Sequence, residues 1–567
     1  MKNDVTNTGA YFLARALRQH GVRHVFALCG DHINSLYRAA TLEGIEIIGT
    51  RNESAAVHMA DAWARASGEV GVVFVTGCPG HSNALTGMAV AKNAGSPVVV
   101  ISGFTPPDQR ERGGSQVMQQ GELARPITKW SLEVLNPTHI GEYLTKAFQI
   151  ATTGTPGTVS LSIPQDILDH VVVSSSDNPA EFVQEDVKRG LVKAVAAFPE
   201  GTMEDIKAML RTAKRPVLVL GTGARWDRAA PELPRLVRQL GIPAFTIDQA
   251  RGLIADDGIH GFGYADPLFC RTFREIVTAD LVILAGAAID FHTCFGRQQL
   301  MAADLKILQL SEDPVLLNQC RQSHLAVLAQ PVACLQALVQ AWEAEGGSGK
   351  WEDWRNHIRK RYAENREIWN TMLQDVGNAD ASIHPLQVCA SLERHRTEDT
   401  GIIIDAGDFV HWPRAYFPAS RPGRWMDAVL IGNLGGSVPL GIGSQMAHGN
   451  GQTWTFIGDG GFAYYSWDLE VAVQRKLPLK IILGNDACWG VEKRLQLGAY
   501  DAHVGCELAE IRYDKFAELL GATGIHVDKV SELDDAVDRL IREPGPALLN
   551  VRIRSMAGRP LADFKRY

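Results

Sequence analysis

Two short motifs with oxygen-bearing side chains stand close together in the last third of the sequence. Gly458-Asp459-Gly460 follows the apolar run 454–457, and Asn485-Asp486 follows the apolar run 480–484. The 27 residues between Asp459 and Asp486 suit one strand–helix–strand unit. Such a unit brings both side chains to the carboxyl ends of neighbouring parallel strands, where α/β sheets bind ligands. Oxygen ligands there suit Mg²⁺, which usually shares its shell with phosphate groups, so the motifs predict a diphosphate clamp.

A second set of motifs lies near the N-terminus. The apolar run 45–49 predicts a strand that ends at Glu53, and the small residues after it predict the start of a helix. The apolar run 72–75 continues into a glycine-containing turn, residues 76–83, which ends in Asn83. By itself, Glu53 could equally be a surface glutamate at a strand end.

Both sets of motifs resemble those of thiamine diphosphate (ThDP) enzymes. In that superfamily, Gly-Asp-Gly is followed some two dozen or more residues later by Asn-Asn, and a strand-end glutamate is followed by a T-x-G-P-G-x-x-N turn. The order along all 567 residues is similar to that of acetolactate synthases, benzaldehyde lyases, oxalyl-CoA decarboxylases and 2-hydroxyacyl-CoA lyases. The last of these groups is the nearest in our interpretation.

Alternating strand and helix patterns predict an α/β protein with three doubly wound parallel-sheet domains. The resemblance implies a pyrimidine-binding domain at 1–175, a central Rossmann-like domain at 190–345 and a diphosphate-binding domain at 375–550. The polar stretch 172–190 is typical of a linker. Residues 551–567 form a C-terminal tail that we interpret as a candidate lid over the active site.

Composition limits the partners that we expect. The chain has a net charge of −8, which argues against nucleic acid and anionic membranes, and no apolar run is long enough to span a membrane. Its nine cysteines are scattered without a CxxC pair, which indicates neither a zinc site nor a disulfide framework. No signal peptide is apparent, so we expect a cytoplasmic protein with a small-molecule substrate.

The resemblance assigns roles in binding ThDP. Glu53 would hydrogen-bond the aminopyrimidine ring and so promote loss of the thiazolium proton. The other cofactor-binding positions that it implies are Asn83, Gly436, Ser437, Val438, Gly458, Asp459, Gly460, Gly461 and Asp486. Val438 stands where most relatives have a methionine that props the cofactor into its bent shape.

The same resemblance implies a Mg²⁺ site. Asp459, Asp486 and the backbone carbonyl of Cys488 would be its ligands. This chain departs from the family pattern because it has Asn485-Asp486 where relatives have Asn-Asn. An aspartate still supplies an oxygen ligand, although a one-residue shift would make Asn485 the ligand instead.

Three further residues are candidates for substrate chemistry. His32 matches a histidine of benzaldehyde lyase and could donate to a carbonyl or alkoxide oxygen. Gln116 lies at the sequence position of the family's active-site glutamine. Glu492 matches a catalytic glutamate of pyruvate decarboxylases, where apolar surroundings would raise its pKa. The alternatives are a structural histidine and a solvated glutamate in the first turn of a helix.

The remaining motifs separate the subgroups. The paired histidines of pyruvate decarboxylases are absent, and Gly261-Phe262-Gly263-Tyr264 replaces the G-M-H-G of flavin-binding relatives, so FAD is not expected. Relatives that hold ADP or CoA in the central domain have an L-G-A-R run where residues 285–288 of this chain contain no arginine. Arg225 could replace that arginine, so ADP or CoA is a candidate ligand of the central domain. The tail resembles the R-x-x-x-D-F ending of 2-hydroxyacyl-CoA lyases.

Our leading hypothesis is a ThDP- and Mg²⁺-dependent lyase that cleaves a 2-hydroxyacyl-CoA to formyl-CoA and an aldehyde or ketone. The alternatives are a carboligase or decarboxylase acting on free aldehydes or 2-oxo acids, and a cofactor-binding relative without turnover. The resemblance also implies a homodimer or homotetramer, with active sites at the subunit interface.

Overall fold

The computed structural model describes residues 5–171, 198, 201–347, 349–377, 382–427, 430–555 and 558–564. Three six-stranded sheets, each wholly parallel, alternate with helices along these residues, which confirms the predicted α/β class. The predicted linker 172–190 lies outside the described residues. Within the described ranges, no helix is long and apolar enough to cross a membrane.

The first sheet has the strand order β2-β1-β3-β4-β6-β5. Its strands are β1 His24–Ala27, β2 Glu46–Gly49, β3 Gly71–Val75, β4 Val98–Phe104, β5 Trp130–Glu133 and β6 Thr158–Pro164. The helices around it are Gly9–Gln19, Asn34–Leu42, Glu53–Ser67, Pro79–Asn93, Pro107–Arg110, Gln120–Ala124, Ile140–Thr152 and Gln165–Asp169. The prediction of a strand ending at Glu53 was wrong by four residues. The Asn52 side chain caps a helix there, by accepting from the Ser54 N–H at 2.8 Å.

The central sheet has the order β12-β11-β10-β7-β8-β9. Its strands are β7 Pro216–Leu220, β8 Ala244–Thr246, β9 Gly261–Tyr264, β10 Leu281–Ala285, β11 Lys306–Ser311 and β12 Leu325–Leu328. The helices that accompany it are Thr202–Thr212, Thr222–Trp226, Leu233–Leu240, Pro331–Ala344 and Glu352–Val376.

The third sheet repeats the strand order of the first, as β14-β13-β15-β16-β18-β17. Its strands are β13 Gly401–Ile404, β14 Trp425–Asp427, β15 Thr453–Gly458, β16 Leu479–Asn485, β17 Thr523–Val527 and β18 Ala547–Arg552. The helices of this region are Pro385–Glu393, His411–Tyr416, Ser437–His448, Asp459–Phe462, Leu469–Gln474, Gly490–Tyr500, Tyr513–Leu519 and Val530–Arg542. Gly458 pairs with Gly484, so the Asp459 and Asp486 motifs do follow neighbouring parallel strands.

Packing groups the chain into two compact units. The first unit contains Met1–Lys193, Ala428–Gly449 and Tyr464–Leu477, and the second contains Ala194–Asp427, Asn450–Ala463 and Pro478–Tyr567. The helix Ser437–His448, which the sequence assigned to the diphosphate-binding domain, therefore packs with the first unit.

The helix Glu53–Ser67 is the most enclosed part of the first unit. Twelve of its fifteen residues are buried, which its run of alanines permits. The helix Ser437–His448 crosses it at Gly443, where a Cβ atom would lie 2.2 Å from the carbonyl oxygen of Met59. Only glycine allows this distance between the two backbones.

We predict that Gly443→Ala lowers the thermal unfolding temperature. Alanine normally stabilises a helix interior by about 1 kcal/mol relative to glycine. Here its Cβ would overlap a backbone oxygen, and overpacking of this kind costs about 1–3 kcal/mol. Gly498→Ala is the matched control, because a Cβ at this helical position meets nothing within 4 Å. Equal melting temperatures for Gly443→Ala and wild type, measured by circular dichroism, would contradict the packing described above.

Candidate active site

Glu53 and Asn83 meet in the first unit. Glu53 is the first residue of its helix and only 7% of its surface is exposed. The Asn83 side chain donates a hydrogen bond of 3.0 Å to Glu53 Oε2. A Cβ atom on Gly80 would lie 3.5 Å from Glu53 Oε1, so the glycine leaves space beside this oxygen. The buried carboxyl group therefore has one oxygen held by an amide and the other beside a gap.

His32 lies at the carboxyl ends of strands β1, β3 and β4. Its Nδ1 is 3.0 Å from the Thr76 hydroxyl oxygen, and its Nε2 is 3.4 Å from the Thr105 hydroxyl oxygen. Burial lowers its pKa, so a neutral imidazole is favoured near pH 7. A Cβ on Gly80 would lie 2.8 Å from the Thr76 methyl group. Thr76 thus contacts both the histidine and the turn beside Glu53.

Gln116 does not reach this cluster through its side chain. It is exposed, and only its carbonyl takes part, by accepting from the Thr105 hydroxyl at 3.0 Å. Gln120, which sequence reasoning missed, is buried and uses its whole amide group. Its Nε2 donates to the Gly103 carbonyl and the Ser162 hydroxyl, both at 3.0 Å, and its Oε1 accepts from the Cys78 N–H at 3.2 Å.

Gln120 is structurally important because it accepts a hydrogen bond from Cys78. Cys78 has a φ of +51°, a left-handed value that costs a non-glycine residue energy, and it precedes the helix Pro79–Asn93 that carries Asn83. The Gln120 hydrogen bond holds this strained residue in place. The only sequence signal was the pair of glutamines at 119–120, shortly after Gln116.

A buried carboxyl group from a distant part of the chain holds the turn before Glu53. Asp468 accepts a 2.8 Å hydrogen bond from the Arg51 N–H, and the Arg51 guanidinium forms a 2.6 Å ion pair with Glu470. Burial raises the pKa of Asp468 to about 7. Sequence reasoning missed this pair, since 417 residues separate Arg51 from Asp468.

Asp459 carries the clearest sign of a ligand in the second unit. It follows β15, is 3% exposed and accepts a 2.8 Å hydrogen bond from the Gly460 N–H through Oδ1. Its Oδ2 is buried and has no hydrogen-bond partner among the described residues. Burial, together with the neighbouring charge of Asp486, raises the pKa of Asp459 to about 7.

Asp486 is the second carboxyl group at this place. It is half-buried, and its Oδ2 accepts from the Cys488 thiol at 3.1 Å. Burial raises its pKa too, and the carboxylate of Asp408 adds to the shift. The alternative ligand, Asn485, is already engaged, because its Nδ2 donates to the Ile511 carbonyl at 3.0 Å and its Oδ1 accepts from the Ala487 N–H at 3.3 Å. This arrangement supports Asp486 over Asn485.

The donor set fits Mg²⁺. The charge of Asp486 raises the pKa of Asp459, and a divalent cation would relieve this repulsion. Asp459 Oδ2 has no hydrogen-bond partner among the described residues and could bind the cation. Within the described ranges, no group of three or more histidine, cysteine, aspartate or glutamate side chains could enclose a metal. Mg²⁺ does not need such an enclosure, since it keeps water molecules and binds phosphate oxygens.

The predicted glycine-rich positions occur in both units. Gly436 caps the helix Ser437–His448 in the first unit, where Ser437 and Val438 are buried. Gly458, Gly460 and Gly461 surround Asp459 in the second unit. A Cβ on Gly460 would lie 2.5 Å from the Trp489 ring, so this ring lies close against the Gly-Asp-Gly turn.

Glu492 lies in the first turn of the helix Gly490–Tyr500. This is the position named in the alternative interpretation, a solvated glutamate in the first turn of a helix. Its side chain is exposed in the single chain, and apolar surroundings for it stay a prediction. A helix's first turn favours a negative side chain without burying it. Whether Glu492 takes part in catalysis stays a prediction.

The described part of the tail is anchored within the second unit. Asp563 forms ion pairs with Arg271 at 2.5 Å and with Arg274 at 2.9 Å. Nearer the strand, the Ser555 hydroxyl lies 3.6 Å from the Cys488 sulfur. The tail therefore contacts both the central domain and the Asp486 loop, and its role as a lid stays a prediction.

In the central domain, the loops after β7 and β10 pack closely. A Cβ on Gly223 would lie 2.9 Å from the Gly286 Cα, and Arg225 follows in the short helix Thr222–Trp226. These loops lie at the switch point of the central sheet, where nucleotides commonly bind. Binding of ADP or CoA there stays untested.

Comparison with known proteins agrees with the predicted order of domains. Models of thiamine pyrophosphate (ThDP) enzymes match residues 7–123 (N-terminal TPP binding domain), 203–338 (central domain) and 405–551 (C-terminal TPP binding domain). The three matches cover most of the first, central and third sheets in that order. Strands β5 and β6 of the first sheet and β13 of the third lie outside them.

Curated relatives match nearly the whole chain. The 2-hydroxyacyl-CoA lyase 2 of Homo sapiens is 30% identical over 96% of this chain and 90% of its own length. The 2-hydroxyacyl-CoA lyase 2 of Mus musculus is 31% identical over 94% of this chain and 87% of its own length. The acetolactate synthase large subunit of Mycobacterium tuberculosis is 28% identical over 95% of this chain and 94% of its own length.

We predict that Asp459→Asn makes the cofactor-free protein more stable above pH 7 while removing its response to Mg²⁺. Folding favours the protonated Asp459, because its folded pKa of about 7 exceeds its ordinary value. That contribution is complete below about pH 4 and is lost as pH rises through 7, and asparagine avoids the loss. Thermal unfolding at several pH values, with and without Mg²⁺ plus ThDP, measures both effects.

Asp468→Asn is the control for this prediction, because Asp468 is also buried with a pKa of about 7. It should share the pH effect and still be stabilised by Mg²⁺ plus ThDP. If Asp459→Asn keeps the full stabilisation by Mg²⁺ plus ThDP, Asp459 is not a ligand.

Proposed function

Because this chain belongs to the thiamine pyrophosphate enzyme family, we propose that it is a ThDP- and Mg²⁺-dependent carbon–carbon lyase. Its substrate in this proposal is a 2-hydroxyacyl-CoA, cleaved to formyl-CoA and an aldehyde or ketone. The observation that carries the proposal is the 30% identity, over 96% of the chain, to a protein named 2-hydroxyacyl-CoA lyase 2.

Glu53 would hold the aminopyrimidine ring of the cofactor. When bound, ThDP supplies a nucleophilic carbon and an electron sink for cleavage. A buried carboxyl group beside a ring nitrogen can hold a proton there, and Asn83 orients Glu53 through its 3.0 Å hydrogen bond. Asp468 supports this role indirectly, because it fixes the backbone of Arg51 two residues before Glu53.

Asp459 and Asp486 would hold Mg²⁺, with the backbone carbonyl of Cys488 as a third ligand. The unpartnered Oδ2 of Asp459 supports this assignment. The cation would in turn anchor the diphosphate group, while Gly458, Gly460 and Gly461 allow close approach to the backbone.

His32 is the leading candidate for proton transfer at the substrate. Its lowered pKa favours the neutral form, which can accept a proton from the substrate's 2-hydroxyl group and return it. The threonine hydroxyls on both ring nitrogens fix the ring's orientation. Gln116 and Glu492 are weaker candidates, since both side chains are exposed in the chain.

The tail supports a CoA thioester over a free acid. Five of the seventeen residues 551–567 are basic, and such residues can bind CoA phosphates. The second candidate function is carboligation or decarboxylation of free aldehydes or 2-oxo acids. The 28% identity to an acetolactate synthase large subunit favours that candidate.

We expect a 2-hydroxyacyl-CoA to be cleaved faster than benzoin or pyruvate when the three are assayed side by side with ThDP and Mg²⁺. Glu53→Gln should lower the rate about 10²–10⁴-fold, the usual contribution of general acid–base catalysis. Glu142→Gln, the same substitution at an exposed position outside the cluster, is the control. Full activity of Glu53→Gln would contradict the role proposed for Glu53. Faster turnover of benzoin or pyruvate than of the 2-hydroxyacyl-CoA would favour the second candidate function.

We further propose that the enzyme is at least a homodimer whose active sites combine Glu53 of one subunit with Asp459 of another. Mixing inactive Glu53→Gln with inactive Asp459→Ala subunits should then restore about one quarter of wild-type activity. Half of the reassociated dimers would be hybrids, each with one intact site of two. Wild-type protein taken through the same dissociation is the control. Hybrids that form, as shown by native mass spectrometry, without any activity would refute the shared site.

A further inference from the structure

Asp408 is a third acidic residue at the sheet edge where Asp459 and Asp486 lie. The three residues follow β13, β15 and β16, which are neighbouring strands of the third sheet. A Cβ atom on Gly490 would lie 3.2 Å from Asp408 Cβ and 3.5 Å from Asp486 Oδ2. Asp408 and Asp486 therefore both lie beside the first residue of the helix Gly490–Tyr500.

Arg494, one turn further along this helix, binds Asp408 directly. Its Nη2 and Nε donate to Asp408 Oδ1 at 2.8 and 3.2 Å. The side chains of Arg494 and Asp408 are only 22% and 12% exposed, so water screens this ion pair less than it screens a surface pair. The Nδ1 of His411 lies 3.8 Å from the same oxygen, which is too far for a hydrogen bond. Arg494 is therefore the cation that neutralises Asp408.

Other cations near this edge of the sheet pair with acids on the surface. Lys493, the neighbour of Arg494, forms a 2.9 Å ion pair with Glu507. Arg552 forms one of 3.3 Å with Glu510. Both glutamates are exposed. Arg494 differs from these two cations because its carboxylate partner belongs to the sheet edge itself.

The negative charge of Asp408 opposes the binding of an anionic group at this edge. Once ionised, the carboxylates of Asp408, Asp459 and Asp486 together outweigh the charge of one Mg²⁺ ion, and a diphosphate group adds further negative charge. Repulsion between such charges is strong in partly buried surroundings. A guanidinium group, which stays protonated at any pH at which proteins work, cancels the charge of Asp408.

We propose that Arg494 sets the affinity of this site for ThDP by neutralising Asp408. The inference rests on the proposed function, in which Asp459 and Asp486 hold the Mg²⁺ that anchors the diphosphate group. Arg494 acts through Asp408 and is a positioning residue. The alternative is a purely structural role, because no residue of the helix Gly490–Tyr500 is buried and the same ion pair ties this helix to the loop after β13.

Equilibrium binding of ThDP to the cofactor-free protein at saturating Mg²⁺ separates the two roles. Measured by isothermal titration calorimetry, Arg494→Gln should weaken ThDP binding at least about tenfold, a size expected of one charge–charge contact in partly buried surroundings. The double variant Asp408→Asn/Arg494→Gln, which removes both charges, should bind ThDP within about threefold of the wild type. A structural role predicts instead that the double variant stays as weak as Arg494→Gln, because neither variant can form the ion pair.

Arg512→Gln is the matched control, because it removes a guanidinium group that binds the carboxylate of Asp514 at 2.7 and 2.8 Å in the same unit. It should leave ThDP binding unchanged. If the wild type fails to bind ThDP, the proposed function falls and this inference falls with it. If the wild type binds ThDP, three results overturn this inference alone: normal binding by Arg494→Gln, an equal loss in Arg512→Gln, or a double variant as weak as Arg494→Gln.

Asp408→Asn keeps the test decisive even if Arg494→Gln does not fold. Without the charge of Asp408, removal of Arg494 should change ThDP binding little. A difference of about tenfold or more between Asp408→Asn and the double variant would therefore also overturn the inference.

Discussion

Close backbone packing around the helix Glu53–Ser67 constrains the rest of the first unit. At Gly71, Gly87 and Gly443, a Cβ atom would lie within 2.6 Å of an atom of this helix or its side chains. The helix is therefore held on several sides by neighbouring backbone, without flexible side chains between them. Because Glu53 is its first residue, the position of the carboxyl group follows from the same packing. A small-residue helix thus serves both stability and the geometry of the candidate active site.

The two buried aspartates with a pKa of about 7, Asp468 and Asp459, differ in their hydrogen bonding. Asp468 is satisfied by the Arg51 N–H, and its burial secures a turn. Asp459 keeps one buried oxygen without a partner among the described residues, beside a second carboxyl group. Folding alone does not explain that oxygen, because an unsatisfied buried acceptor costs free energy. A cation explains it, and perturbed carboxyl groups of this kind are typical of functional sites.

The first and third sheets share one strand order, and the candidate residues occupy corresponding places in both. His32 and Thr76 follow the neighbouring strands β1 and β3, while Asp408 and Asp459 follow β13 and β15. In a sheet of this order, chain connections leave in opposite directions at that pair of strands and open a crevice. The same topological feature therefore places His32 and Thr76 in the first sheet and Asp408 and Asp459 in the third.

The sequence by itself determined the fold class and the three sheets in order. It also determined that Glu53 and Asn83 follow strands of the first sheet, and that Asp459 and Asp486 follow strands of the third. Strand and helix periodicity are local, and a parallel strand delivers whatever follows it to one edge. Burial and long-range hydrogen bonds were decided only in the tertiary structure, because they depend on neighbours remote in the chain. For that reason, the roles of Gln120 and Asp468, the exposure of Gln116 and Glu492, and the hydrogen bonds of Asn485 could not be predicted. Each of them required knowing which distant groups surround a side chain.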